Sequence, residues 1–175
     1  MANTYTLIAS NTLGSSAASV TFSSIPSTYT DLVVRVSTRS TRATDVFDAV
    51  TLYLNGNSTS TNYNRTIIRG SGSAVSSFAG NQPGIYSNNS GNGAGATANT
   101  FGSAEFYIPN YTSSTNKPAS VFGVTENNAT EAYIVATAGL ALITSAVTSI
   151  EVAPGSGSYS FVSGSSFFLY GIKAN

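Results

Sequence analysis

The chain has 175 residues, seven of them basic and seven acidic, and only 8% are charged. Against roughly a quarter in an average domain, this implies a surface built from Ser, Thr, Asn and Gly, with no net field to steer it toward nucleic acid or an anionic membrane. Cysteine and histidine are absent, which removes disulfides, thiolate nucleophiles, the usual zinc ligands and the commonest general base.

The length suits one domain, residues 1–175, with a sizeable core. Met1 to Thr6 has neither the basic nor the apolar region of a signal peptide. The longest apolar run, Ala132 to Val147, is interrupted by Thr137, Gly139, Thr144 and Ser145. It falls short of the roughly 20 residues of a membrane helix, so a soluble protein without a membrane partner is expected.

Apolar residues recur at two rather than at three and four, which predicts strands throughout. Tyr5–Ala9 and Ser19–Phe22 are the first two, separated by a turn and followed by Pro26, which cannot donate to a ladder. Ile25 and Tyr29 are expected to plug the end of the core. Asp31–Thr38 follows, with Leu32, Val34 and Val36 on one face and Arg35 on the other. Val50, Leu52 and Leu54 alternate in the next strand, which ends at the turn signal Asn55-Gly56. Tyr63–Gly70 alternates again, with Arg65 and Arg69 facing the same way as Tyr63 and Ile67.

From Gly70 to Asn99 the composition turns to Gly, Ser, Asn and Ala. The stretch 87–99 has no bulky apolar side chain and reads as a flexible loop, exposed or used as a contact arm. Strands resume at Phe101–Ile108, Ala119–Thr125, Ala132–Ala138, Val147–Val152 and Phe167–Ile172, with Asn127-Asn128 turning between two of them. The last strand is apolar on both faces and reads as central, so the fold closes on its own C-terminus. Gly171 within it suggests close approach of another backbone. Leu32, Val34, Val36, Leu52, Leu54, Ile134, Ile150, Phe167 and Leu169 form the expected core. Short strands with turn signals and no helix predict an all-β, antiparallel two-sheet β-sandwich of jelly-roll type, with a single closed barrel as the alternative.

Candidate chemistry is sparse. Asp45 and Asp48 are the only close acidic pair, and the expected reading is a polar loop facing nearby arginines rather than half of a calcium site or a carboxylate dyad. No metal, no cofactor and no catalytic residue is assigned, and the chain is not expected to be an enzyme. Arg35 and Arg39 lie four apart on one strand face, and Arg65 and Arg69 repeat that spacing on another. Such pairs form either exposed ion pairs of little energetic weight or a docking face. Together with Asn92 and Asn99 from the glycine-rich stretch they are the candidate partner contacts. The Tyr, Ser, Asn and Gly palette also suits a glycan-binding surface.

Several stretches taken together resemble small virion proteins of tailed bacteriophages, cyanobacterial phages among them. They are Tyr5 to Ser10, Val20 to Val34, Leu54-Asn55-Gly56 leading to Asn62-Tyr63, Phe106 to Tyr111, Thr148 to Ile150, and Gly164 to Ile172. The resemblance implies a β-sandwich of virion surfaces, usually a homotrimer, located on the capsid or the tail. A compact head without a coiled-coil or collagen-like shaft suits a capsid decoration, or cement, protein that binds the major capsid protein lattice. A tail-fibre or receptor-binding module recognising a host surface glycan is the alternative.

Overall fold

The computed structural model describes residues 4–127 and 131–173. The strands are β1 (Tyr5–Thr12), β2 (Val20–Phe22), β3 (Asp31–Thr38), β4 (Phe47–Leu54), β5 (Tyr63–Gly70) and β6 (Val75–Asn81). They continue with β7 (Ile85–Asn92), β8 (Gly102–Ile108), β9 (Lys117–Glu126), β10 (Ala132–Ala141), β11 (Ile150–Pro154) and β12 (Ser166–Ile172). The one helical element among the described residues is a 3-10 turn over Ser60–Asn62, as the period-two patterning predicts. Asn55 and Gly56 take left-handed φ values of 53° and 69°, and the Asn57 amide closes the turn on the Leu54 carbonyl at 3.0 Å. Of the expected Asn127-Asn128 turn, Asn128 lies outside the described residues.

The strands form two antiparallel sheets, one of eight in the order β1-β12-β3-β8-β9-β10-β5-β6 and one of four in the order β2-β11-β4-β7. β12 is hydrogen-bonded on both sides, to β1 and β3, so this strand is central, as its apolar faces predict. Four pairings nest inside one another: β1 with β12, β2 with β11, β3 with β8, and β4 with β7. The β5–β6 and β9–β10 hairpins fall outside this nest and extend the large sheet beyond β8.

The sheets face each other through Leu32, Val34, Val36, Leu52, Leu54, Phe106, Ile150, Phe167 and Leu169, all buried. Truncating such a Leu or Phe to Ala costs about 2–5 kcal/mol. Ile25 is buried and Tyr29 lies on Gly171, where a Cβ would meet its ring at 2.3 Å. What approaches Gly171 is therefore a side-chain ring, not another backbone.

Ile134 is the one expected core residue that is not in the core. In β10 the inward positions are Val135, Thr137 and Ala141, and Ile134 is 53% exposed on the opposite face. With period two, choosing the wrong residue of an adjacent apolar pair inverts the face.

The flexible-loop reading of 87–99 is also corrected. Its first six residues belong to β7, and Ser87 and Asn89 to Asn92 are buried. Here the two sheets approach almost backbone to backbone. A Cβ on Gly123 would lie 2.5 Å from the Ser90 Cβ, and one on Gly102 would lie 2.4 Å from the Ser90 carbonyl oxygen. Only small residues fit such a seam, so a composition that resembles a linker is here a packing requirement.

Candidate interaction surface

Arg35 and Arg39 do not share a face. Arg35 points outward from the large sheet and pairs with Glu105 at 2.6 Å, which raises its pKa through that hydrogen bond. Arg39 follows β3 and is buried beneath residues 94–100. Its guanidinium donates to the carbonyls of Thr97 (2.8 Å), Ala96 (2.9 Å), Ala94 (3.0 Å) and Thr100 (3.3 Å), while burial lowers its pKa. The glycine-alanine stretch is therefore ordered by an arginine of its own chain.

Asn92 is fully buried, with its amide donating to Thr100 Oγ1 at 2.8 Å. Neither Arg39 nor Asn92 can be a surface contact. Asn99 is exposed at a left-handed φ of 62°.

Arg65 and Arg69 do share a face, as their spacing predicts, but it is the inner face of β5, where Arg65 lies over Tyr86 of β7. Their guanidinium carbons lie 5.7 and 5.9 Å from the centre of the Phe78 ring. Between β3 and β5 stand β8, β9 and β10, so the two arginine pairs lie about 19 Å apart across four strand spacings. They make no common patch.

Asp45 and Asp48 both face Arg42. Asp48 is buried, accepting from Ser40 Oγ at 2.6 Å and from the Ala49 amide at 2.8 Å. Burial pushes its carboxyl above the usual range, against the lowering by Ser40, Ala49 and Arg42.

The surface that stands out was not among the candidate sites. The outer face of the large sheet divides into two halves. On β12, β3 and β8 it covers itself: Tyr170 and Tyr107 flank Val33 in register and leave it 0% exposed, whereas Tyr5 and Leu7 on β1 stay exposed. Tyr107 donates to Asp31 at 2.7 Å, and that bond, with burial, pushes the phenol up to about 12.

On β9, β10, β5 and β6 no described residue covers the face. One row reads Val124, Ile134, Gly70, Val75, and the next Phe122, Ala136, Ile68, Ser77. Ile68, Phe122 and Val75 are 56%, 55% and 79% exposed. Beside this ridge, where Ala136 and Ala138 are too small to fill the surface, lies a trough of about 580 Å³, bounded by Ile68, Tyr107, Pro109 and Pro118. The only charged residue that these four strands present outward is Glu126, at the end of β9. The signal was present in Val121-Phe122-Gly123-Val124, apolar on both faces, which marks a strand whose second face also seeks cover.

No family model and no curated protein matches the chain. Among solved structures it shows weak likeness to a binding domain of botulinum neurotoxin DC in complex with SialylT, with 7% identity and a TM-score of 0.29 over 95% of this chain and 44% of that one. A structure described as HCR/D-Sa-GBL1/C gives 8% and 0.22 over 95% and 44%. The C2A and C2B domains of extended-synaptotagmin 2 give 10% and 0.18 over 84% and 42%. The chain spans less than half the length of each, and at such scores none of these likenesses carries an argument.

Proposed function

We propose that this chain is a structural virion protein, a capsid decoration subunit that binds the major capsid protein lattice through the outer face of β9, β10, β5 and β6. The observation that carries the reading is the contiguous uncharged ridge and trough on that face. Apolar patches of this kind mark protein–protein contacts, and a neighbour that covers them regains the transfer free energy of the exposed side chains, about 25 cal/mol per Å². The nested strand pairs support the jelly-roll assignment, and the family resemblance supplies the virion setting and the homotrimer.

The experiment is binding of the purified protein to capsids that lack it, followed by sedimentation, with light scattering of the free protein. Wild type is expected to co-sediment at a copy number comparable to that of the major capsid protein. Phe122→Glu and Ile134→Glu are expected to fold normally, because both side chains are exposed, and to stay in the supernatant. Failure of wild type to bind, or full binding by both variants, would sink the reading. A few copies confined to the tail would replace it with the tail-borne alternative.

A further inference from the structure

We propose that the free edge of β6 is a strand-addition site for an extended segment of a partner protein, with carboxylates on one face of that segment and apolar side chains on the other. This does not depend on the virion reading. A sheet edge exposes unpaired backbone groups, and folded proteins blunt it by shortness, bulges, charge or cover. Three of the four edges are treated in this way. β2 has only three residues, β1 carries a register shift between Leu7 and Ala9, and β7 is buried from Asn89 to Asn92. β6 is not. It runs in unbroken register with β5 from Val75 to Asn81, without proline or charge.

The flanking side chains state the partner's chemistry. On the outer face Val75, Ser77 and Ala79 continue the apolar rows of β10 and β5, so an added strand with apolar side chains there extends the same surface. On the inner face Phe78 lies between Arg65 and Arg69, and β6 places small residues beside them: Gly80 pairs with Arg65 and Ser76 with Arg69. Phe78 lies against both guanidiniums, at 5.7 and 5.9 Å, while Gly80 and Ser76 put no large side chain beside them.

Among the described residues, neither arginine forms a salt bridge. Arg65 stacks on Tyr86 at 4.4 Å, with Nε and Nη1 buried, and Arg69 lies over Tyr133 at 5.3 Å. A strand added to β6 sets its inward side chains about 10 Å from β5, a gap that a glutamate and an arginine span together. Backbone pairing then supplies affinity, and the two carboxylates supply specificity. A second copy does not meet this requirement. β6 paired with itself about Phe78 sets Ser76 against Gly80 and offers no carboxylate to the arginines.

The test uses the whole protein and two fluorescein-labelled peptides, Val-Glu-Val-Thr-Val-Glu-Val and Val-Lys-Val-Thr-Val-Lys-Val, followed by anisotropy and by hydrogen exchange over 75–81. The glutamate peptide is expected to bind at least about tenfold more tightly than the lysine peptide and to slow exchange over 75–81. That preference is expected to shrink in high salt and in Arg69→Ala. Equal binding of the two peptides, or absence of protection over 75–81, would overturn the proposal. So would protection there that rises with protein concentration alone, which would give the edge to a second copy.

Discussion

Two stretches of nearly the same composition meet opposite fates. Residues 71–81 and 85–100 are both rich in Ser, Gly, Asn and Ala, yet the first ends in an open edge strand and the second lies in the closest seam of the sandwich. The difference is what stands opposite. β7 faces Gly123 and Gly102, and residues 94–100 lie on the Arg39 guanidinium, whereas β6 projects past the end of the smaller sheet. Small polar residues therefore mark a tight interface or an exposed edge with equal ease, and composition does not distinguish them.

The sharpest way to break the contrast is to fill the seam. Gly123→Val is expected to cost about 3 kcal/mol or more, since the new Cβ collides with Ser90 and the sheets must part. Chemical denaturation measures it, and an unchanged midpoint would mean that the sheets are not held at this distance. Arg39→Ala is expected to cost about 2–3 kcal/mol, because four carbonyls lose a charged donor. Hydrogen exchange should speed up across 94–100 but not across β12.

A pH test follows from Asp48, which braces the residues preceding β4 through Ser40 and Arg42. Its carboxyl titrates above the ordinary value of 3.8 in the folded state because of burial. The unfolded chain binds fewer protons in that window, so the contribution of Asp48 to stability falls as pH rises from 3.8 through the raised value. Asp48→Asn is expected to flatten that decline when denaturation midpoints are compared between about pH 4 and 7, an effect smaller than either truncation. The smallest change is expected at the open edge. Ser77→Lys should alter stability by no more than about 0.5 kcal/mol, and a loss as large as that of Arg39→Ala would show that β6 is packed rather than free.

By itself the sequence determined the all-β class, most strand positions, the left-handed Asn55-Gly56 turn and the inward faces of β3, β4 and β12, because period two and turn chemistry are local properties. It also placed Arg65 and Arg69 on a common face, since that needs only the pleat of one strand. Tertiary structure decided the rest. The face of Ile134 depended on which sheet β10 joined. The burial of Ser87 and of Asn89 to Asn92 depended on glycines contributed by β8 and β9. The role of Arg39 depended on carbonyls more than fifty residues away. The apolar outer rows arise because the β9–β10 and β5–β6 hairpins pair with each other through β10 and β5, a choice of strand order that no local pattern encodes. Which half of a sheet is left apolar and bare is a property of the pairing, because exposure is decided by what lies opposite a residue and not by the residue itself.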